Sequence, residues 1–201
     1  MGRFFLEAEK FLDCCSPVGE YVEIGTSRQG DDGSTIHISR WAKERGANLI
    51  TVDMDPYNCE FVKSKELPNV TIHNTTGEQY LRERIYGMRP ISFLYLDNFD
   101  WDHHPDKTEN FVKDQIKRYA TMGVTMNNVN CQIAHLMQAE LAVPHMAESC
   151  VIACDDTPFN YWWGHYSGKC GAAVPYLLGH GFSVLQQGED GIILGRGIEV
   201  R

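Results

Sequence analysis

No apolar run in this 201-residue chain approaches the roughly 20 residues that a membrane-spanning helix needs. At the N-terminus Arg3 and Glu7 interrupt the short cluster Phe4-Phe5-Leu6, so no signal-peptide pattern forms there. Positive charge is scarce as well: 18 Lys and Arg stand against 27 Asp and Glu, a formal net charge of −9. That balance argues against a broad nucleic-acid or membrane surface, since both partners are polyanions. Lys113, Lys117 and Arg118 read as one solvated helix face. The seven cysteines are odd in number, irregular in spacing and without a Cys-x-x-Cys, which points to reduced thiols in a cytoplasmic protein. Internal repeats and low-complexity stretches are missing. So is the dinucleotide pattern Gly-x-Gly-x-x-Gly, because Ser27 stands two positions after Gly25.

What is present centres on residues 21–56. A short apolar run ends in Glu23-Ile-Gly25, a polar loop follows through Gly30 and Gly33, and then come a helical segment and a second apolar run closing on Asp53. Strand, turn, helix, strand, acid is the smallest unit of a nucleotide- or nucleoside-binding half-sheet. Gly25 leaves room for a ligand to approach the main chain. The helix start after Gly33 offers unpaired N–H groups. Asp53 can accept bonds from both hydroxyls of a ribose. Glu23 would repel a pyrophosphate but suits the ammonium of an amino acid.

The remaining elements follow in order. Residues 2–15 form an amphipathic helix with Phe4, Phe5, Ala8, Phe11 and Leu12 at helical spacing, covering the sheet or a neighbouring molecule. Helices are expected over 78–87, 108–121 and 130–143, the last with Ile133, Leu136, Met137 and Leu141 inward. The run Ile-Ser-Phe-Leu-Tyr-Leu at 91–96 is continuously apolar, as a strand covered on both faces must be. A further strand ends at Cys154, and residues 182–185 and 192–194 make a closing hairpin. Five β-α repeats and a final antiparallel pair predict an α/β protein. Its sheet is Rossmann-like and doubly wound, with about seven mostly parallel strands in a three-layer α/β/α stack. The division expected is an N-terminal helical segment over 1–17 and a ligand-binding domain over 18–201.

Two of these strands end in acids, Asp97 on one and Asp155-Asp156 on the other. Adjacent parallel strands lie about 5 Å apart, so the carboxylates should converge at one rim. Three acids so close repel each other unless a cation or a proton intervenes, and hard oxygen donors suit Mg2+. Asp97, Asp155 and Asp156 are thus the candidate metal ligands, although Asp155 and Asp156 could also close their loop with Thr157. Between the acids, His103 and His104 are either substrate or metal contacts or ordinary loop histidines. His135, amid helix residues, reads as packed or surface-exposed rather than as a ligand. Trp162 and Trp163 offer an aromatic wall or a lid. Lys169, read as opening a helix, is unfavourable against the helix dipole, which points to an anionic contact unless solvent screens it.

The pattern Glu23-x-Gly25, continued by Gly30 and Gly33 and closed by Asp53, resembles the class I S-adenosylmethionine-dependent methyltransferases, over about residues 18–196. The acids at two strand tips are similar to those of metal-dependent O-methyltransferases related to catechol O-methyltransferase. The run Glu-Ile-Gly-Thr-Ser-Arg at 23–28 is similar, too, to the first motif of cephalosporin hydroxylase-like proteins, which resemble methyltransferases in fold. The resemblance implies S-adenosylmethionine, held by Glu23, Gly25, Thr26, Ser27, Gly30, Asp53 and Asp97. It implies an adenine contact at Asn74, Thr75 or Thr76, though Thr76 could equally cap a helix. It implies Mg2+ on Asp97, Asp155 and Asp156, lowering the pKa of an acceptor hydroxyl before in-line methyl transfer. Asp97, His104 and Lys169 are the catalytic candidates. The family often places a lysine soon after the first of these acids, but here none precedes Lys107, and His104, His103 or Asp100 would stand in. The expected partner is a small hydroxylated acceptor, with neither nucleic acid nor membrane, and the apolar N-terminal helix leaves a homo-oligomer open. Two alternatives stand beside this reading: a nucleotide-sugar or NAD-utilising enzyme, and a non-catalytic binding module on the same fold.

Overall fold

The computed structural model describes residues 4–17, 19–28, 32–83, 89–102 and 110–199. A 3-10 turn (Phe4–Ala8) runs into the short helix α1 (Glu9–Leu12) and is followed by β1 (Glu20–Ile24), α2 (Ser34–Glu44) and β2 (Leu49–Asp53). Next come α3 (Pro56–Lys63), β3 (Val70–Asn74), α4 (Gly77–Glu83), β4 (Ile91–Leu96), α5 (Asn110–Thr121) and α6 (Asn128–Ala142). The chain closes with β5 (Met146–Asp155), the two-residue strands β6 (Phe159–Asn160) and β7 (His165–Tyr166), α7 (Ala173–Gly179), β8 (Ser183–Gln187) and β9 (Gly191–Arg196).

Seven strands form one sheet in the order β3-β2-β1-β4-β5-β9-β8. The first five are parallel, while β9 runs antiparallel to both β5 and β8. The order reverses between β1 and β4, and in doubly wound sheets ligands bind at the carboxyl ends on either side of such a switch. Register then decides which side chains share that rim. Ile24, Leu96 and Cys154 are aligned across β1, β4 and β5, so the residues that follow them, Gly25, Asp97 and Asp155, emerge side by side.

Two apolar cores sandwich the sheet, which is why all six residues of β4 are buried. On one face Tyr80 and Leu81 of α4, Ala139 and Ala142 of α6, and Val174 and Leu177 of α7 pack together. On the other, Ile38, Trp41 and Ala42 of α2 meet Phe5, Ala8 and Leu12, so the N-terminal segment covers this chain's own sheet. Trp41 is completely buried, and burying a side chain of that size contributes several kcal/mol, on the order of 3.

Three local expectations are corrected. The inward face of α6 is Cys131, His135, Gln138, Ala139 and Ala142, whereas Ile133 is 51% exposed. This helix is apolar nearly all round, so apolarity does not fix its phase. Small Ala139 and Ala142 let it pack close, and Gln138 Nε2 donates to Glu78 Oε1 at 2.8 Å. Residues 168–172 form a turn before α7 rather than its first turn, which removes Lys169 from a helix start. The ribbon of β6 and β7 has no counterpart in the sequence reading. All seven cysteines are free. Among the described residues no helix is long and apolar enough to cross a membrane.

Candidate active site

The loop after β1 is held by its own polar groups. Glu23 is completely buried and accepts from Ser34 Oγ at 2.5 Å, Thr35 Oγ1 at 2.6 Å and Thr51 Oγ1 at 2.7 Å. Ser27 and Thr35 exchange bonds of 2.9 Å, each backbone N–H donating to the other's hydroxyl. Thr26 Oγ1 meets Thr51 Oγ1, and its N–H donates to Asp53 Oδ2 at 3.1 Å. Burial pushes the Glu23 carboxyl up to about 7 despite the three hydroxyl bonds, which act the other way. The expectation that Glu23 meets an ammonium is therefore not matched by this geometry: it is completely buried, away from the cleft, and the three bonds it accepts fasten β1 to β2 and to the start of α2. Gly25 is corrected in the same sense. Its φ is +101°, and a Cβ there would lie 2.5 Å from the Asn98 nitrogen, so the close approach it permits is that of the β4 tip rather than of a ligand.

Beside this loop a cleft opens at the switch point, with about 770 Å3 of space between its walls, part of it open to solvent. Asp53, Thr76, Asn98 and Asp100 line it, together with Arg28 and Tyr119. Asp53 accepts from the N–H groups of Thr26 and Asp55 and from Asn58 Nδ2. A carboxylate offers about four lone-pair sites, so one acceptor position remains for a ligand hydroxyl rather than two. Thr76 Oγ1 accepts from the Gln79 N–H at 3.2 Å, so it caps α4 and lines the cleft at once. Asn98 Oδ1 and Asp100 Oδ2 are buried without a hydrogen-bond partner. Such atoms cost about 1–3 kcal/mol each unless a ligand or water satisfies them.

The residue before Asn98, Asp97, belongs to a charged cluster. Single oxygens of Asp97, Asp155 and Asp156 all fall within 4.8 Å of one another, as the strand tips led one to expect. The Lys169 ammonium sits among them, 2.5 Å from Asp97 Oδ1 and 3.0 Å from Asp156 Oδ2, and the residue is only 4% exposed. Gly168 makes this possible. Its φ is +76°, and a Cβ there would lie 1.8 Å from the Asp156 carbonyl oxygen, while the Lys169 N–H donates to that same oxygen at 2.9 Å. Burial works against charge on both partners, yet Asp97 and Asp156 hold the ammonium far above the ordinary lysine range, and Lys169 holds Asp97 below the usual carboxylate range. For Asp155, burial, aided by the Asp97 charge and only partly offset by that of Lys169, pushes the carboxyl up to about 8.

Hard carboxylate oxygens are the donors Mg2+ prefers, but Mg2+ needs near-octahedral contacts at about 2.0–2.1 Å. Here an ammonium already takes Asp97 Oδ1 and Asp156 Oδ2, and two cations cannot share that space. The residues as arranged do not fit the metal, and no step below runs through one.

Gly30 and His104, with His103 and Lys107, lie outside the described residues. The structure groups the other sequence-derived residues into three sets: Glu23, Gly25, Thr26 and Ser27 as a self-bonded loop; Asp53 and Thr76 on the cleft; Asp97, Asp155, Asp156 and Lys169 as the charged cluster. His135 is completely buried, its Nδ1 on the Cys131 carbonyl at 2.8 Å, and burial lowers its pKa to about 4. Sequence reading missed the two ion pairs around the cleft, Arg28 with Asp100 at 2.7 Å and Arg118 with Asp55. Only Asp55-Pro56 gave a signal, that of a helix start: Asp55 Oδ1 accepts from the Tyr57 N–H at 2.9 Å with proline at the first helical turn. Phe99 and Asp156 have positive φ, +59° and +45°, at the β4 and β5 tips, and such strain persists mostly where a site needs it.

Solved structures answer what this sheet is. The O-methyltransferase NovP superposes with a TM-score of 0.59 at 10% identity, covering 96% of this chain and 79% of that one. SMU.1697c from Streptococcus mutans, in complex with S-adenosylhomocysteine, gives 0.51 at 12% identity, covering 97% of each chain. The chain has the methyltransferase fold. An rRNA methylase from Streptococcus thermophilus adds 0.50 at 10% identity, covering 97% and 96%. No family model and no curated protein matches the sequence.

Proposed function

We propose that the chain is an S-adenosylmethionine-dependent methyltransferase acting on the oxygen of a small hydroxylated acceptor. What supports the reading most is the placement of one cleft at the β1–β4 switch, with Asp53 and Asn98 on its wall and the aspartate–lysine cluster beginning at Asp97, the residue before Asn98. Among the structures that share this fold, one is in complex with S-adenosylhomocysteine, one is named an rRNA methylase, and NovP, by its name, works on oxygen. S-adenosylmethionine, when bound, supplies a methyl group on a sulfonium sulfur.

The chain's residues then have separable tasks. Asp53 takes a ribose hydroxyl with its remaining acceptor position, and Thr76 borders the space for the base. Asn98 and Asp100, with unpartnered buried oxygens, accept from the ammonium of the amino-acid end. Asp97 and Lys169, which stand beside the cleft lining rather than in it, orient the acceptor oxygen. Asp155, pushed up to about 8, has a proton affinity near working pH and is suited to take the proton of the acceptor hydroxyl.

Calorimetry with S-adenosylhomocysteine tests the cofactor, and methyl transfer to a panel of hydroxylated acceptors tests the reaction. Heat with NAD but none with S-adenosylhomocysteine would sink the proposal. Binding of S-adenosylhomocysteine without transfer to any acceptor would favour a binding module.

A further inference from the structure

We infer that the Lys169 ammonium takes the place of a divalent cation in the Asp97–Asp155–Asp156 cluster, so that this chain's site works without a metal. The inference deepens the proposed function by naming what neutralises its acidic wall, and it rests on that reading only for the catalytic consequence.

Three observations carry it. The ammonium lies 2.5 Å and 3.0 Å from oxygens of two different aspartates, two of the three residues that could hold a metal. Its side chain is 5% exposed, so it cannot swing into solvent and leave the acids to an ion without unpacking the turn at 168–172. That turn is committed to the position: Gly168 packs against the Asp156 carbonyl where no side chain fits, Gln132 Nε2 donates to the Gly168 carbonyl at 3.2 Å, and the Cys170 N–H donates to Thr157 Oγ1 at 3.1 Å. A buried ammonium with one acid removed is strongly destabilised, so lysine and aspartates hold each other in place.

Electrostatics favours the exchange. The cluster needs positive charge because like charges at this spacing repel. Lysine supplies it from within the fold, at no dependence on ion concentration, whereas a divalent ion would add a second cation beside the first. The reaction is not altered in its balance: the C–S bond of the sulfonium breaks with its electron pair left on sulfur, the C–O bond forms, and the hydroxyl proton passes to a carboxylate.

The test is a Mn2+ titration of the purified chain, read by the EPR signal of free Mn2+. Wild-type protein is expected to take up no Mn2+ at micromolar concentration. Lys169→Met, which keeps length but loses charge, is expected to bind Mn2+ at least about tenfold more tightly. Adding Asp155→Asn should abolish that gain. Wild-type uptake that disappears in Asp155→Asn overturns the inference, and this result does not require Lys169→Met to fold. A folded Lys169→Met with no gain overturns it equally. S-adenosylhomocysteine affinity is measured alongside: its absence would refute the methyltransferase reading while leaving the Mn2+ result to decide the role of Lys169.

Discussion

The loop after β1 and the tips of β4 and β5 carry the same kind of residue and treat it oppositely. Glu23 meets three hydroxyls, all from its own fold, and is shut away from the cleft. Asp97 and Asp156 pair with one ammonium, whose charge only partly offsets the burial of Asp155. Neutral donors spread among several elements make a joint, which is silent towards ligands. Full charges in a small space, incompletely cancelled, make a site with free energy to exchange. An acid at a strand tip thus acquires its role from what satisfies it.

The largest effect should come from Asp97→Asn. It leaves the buried Lys169 with Asp156 alone, and breaking a buried pair costs about 3–5 kcal/mol. Methyl transfer is expected to fall about a hundredfold or more, with denaturant unfolding shifted by a comparable stability loss. If the rate fell while stability stayed within error, Lys169 would not depend on Asp97 and the cluster would be less tightly joined than its distances imply.

Glu23 breaks the comparison from the other side. Its pKa is about 7 in the fold against an ordinary 4.5, so the native state binds the proton more tightly than the unfolded chain does. That stability is complete below pH 4.5 and is lost as pH rises to about 7, by about 3 kcal/mol in all. Glu23→Gln cannot titrate, so its stability should decline less than wild type between those pH values, measured by urea unfolding across the range. Parallel curves for the two proteins would mean that the hydroxyls hold Glu23 ionised throughout.

These two residues also mark how far the sequence could be read. The run at 91–96 announced a central strand through its unbroken apolarity, and the acids after it and after Cys154 announced a shared rim, because strand alternation and register are local rules. The role of Glu23 was hidden, since its donors come from α2 and β2, 11, 12 and 28 residues away. Lys169 was legible as a lysine wanting an anion but not as the partner of Asp97, 72 positions earlier. The phase of α6 could not be read at all, because nearly every face of it is apolar and a few polar bonds choose.

Gly25 joins the two regions, since its missing side chain is what lets the β1 loop touch the backbone of Asp97 and Asn98. Gly25→Ala should cost about 2 kcal/mol from the positive φ alone, within the 1–3 kcal/mol typical of such strain. It should weaken S-adenosylhomocysteine binding too, because Asn98 must move. A stable variant with unchanged affinity would show that the two loops are independent.

The smallest effect on stability belongs to the ribbon of β6 and β7. Trp162 is 95% exposed and Trp163 77%, and Asn160 Oδ1 accepts from both of their N–H groups, so their backbone is fixed while their rings touch little. Trp162→Ala should change unfolding free energy by less than about 0.5 kcal/mol, as substitutions at exposed positions do. S-adenosylhomocysteine affinity should stay the same, because neither ring borders the cleft. Yet the ribbon is tied to the charged cluster, with the Ser167 N–H on the Pro158 carbonyl at 2.9 Å and Gly168 beside Asp156. An acceptor oriented at that cluster would pass these rings, so a raised acceptor KM with unchanged kcat and unchanged cofactor affinity is the expected kinetic signature. A fall in cofactor affinity or in stability would instead assign the ribbon to the fold, and the division between closed joint and open site would have to be redrawn with the ribbon on the closed side.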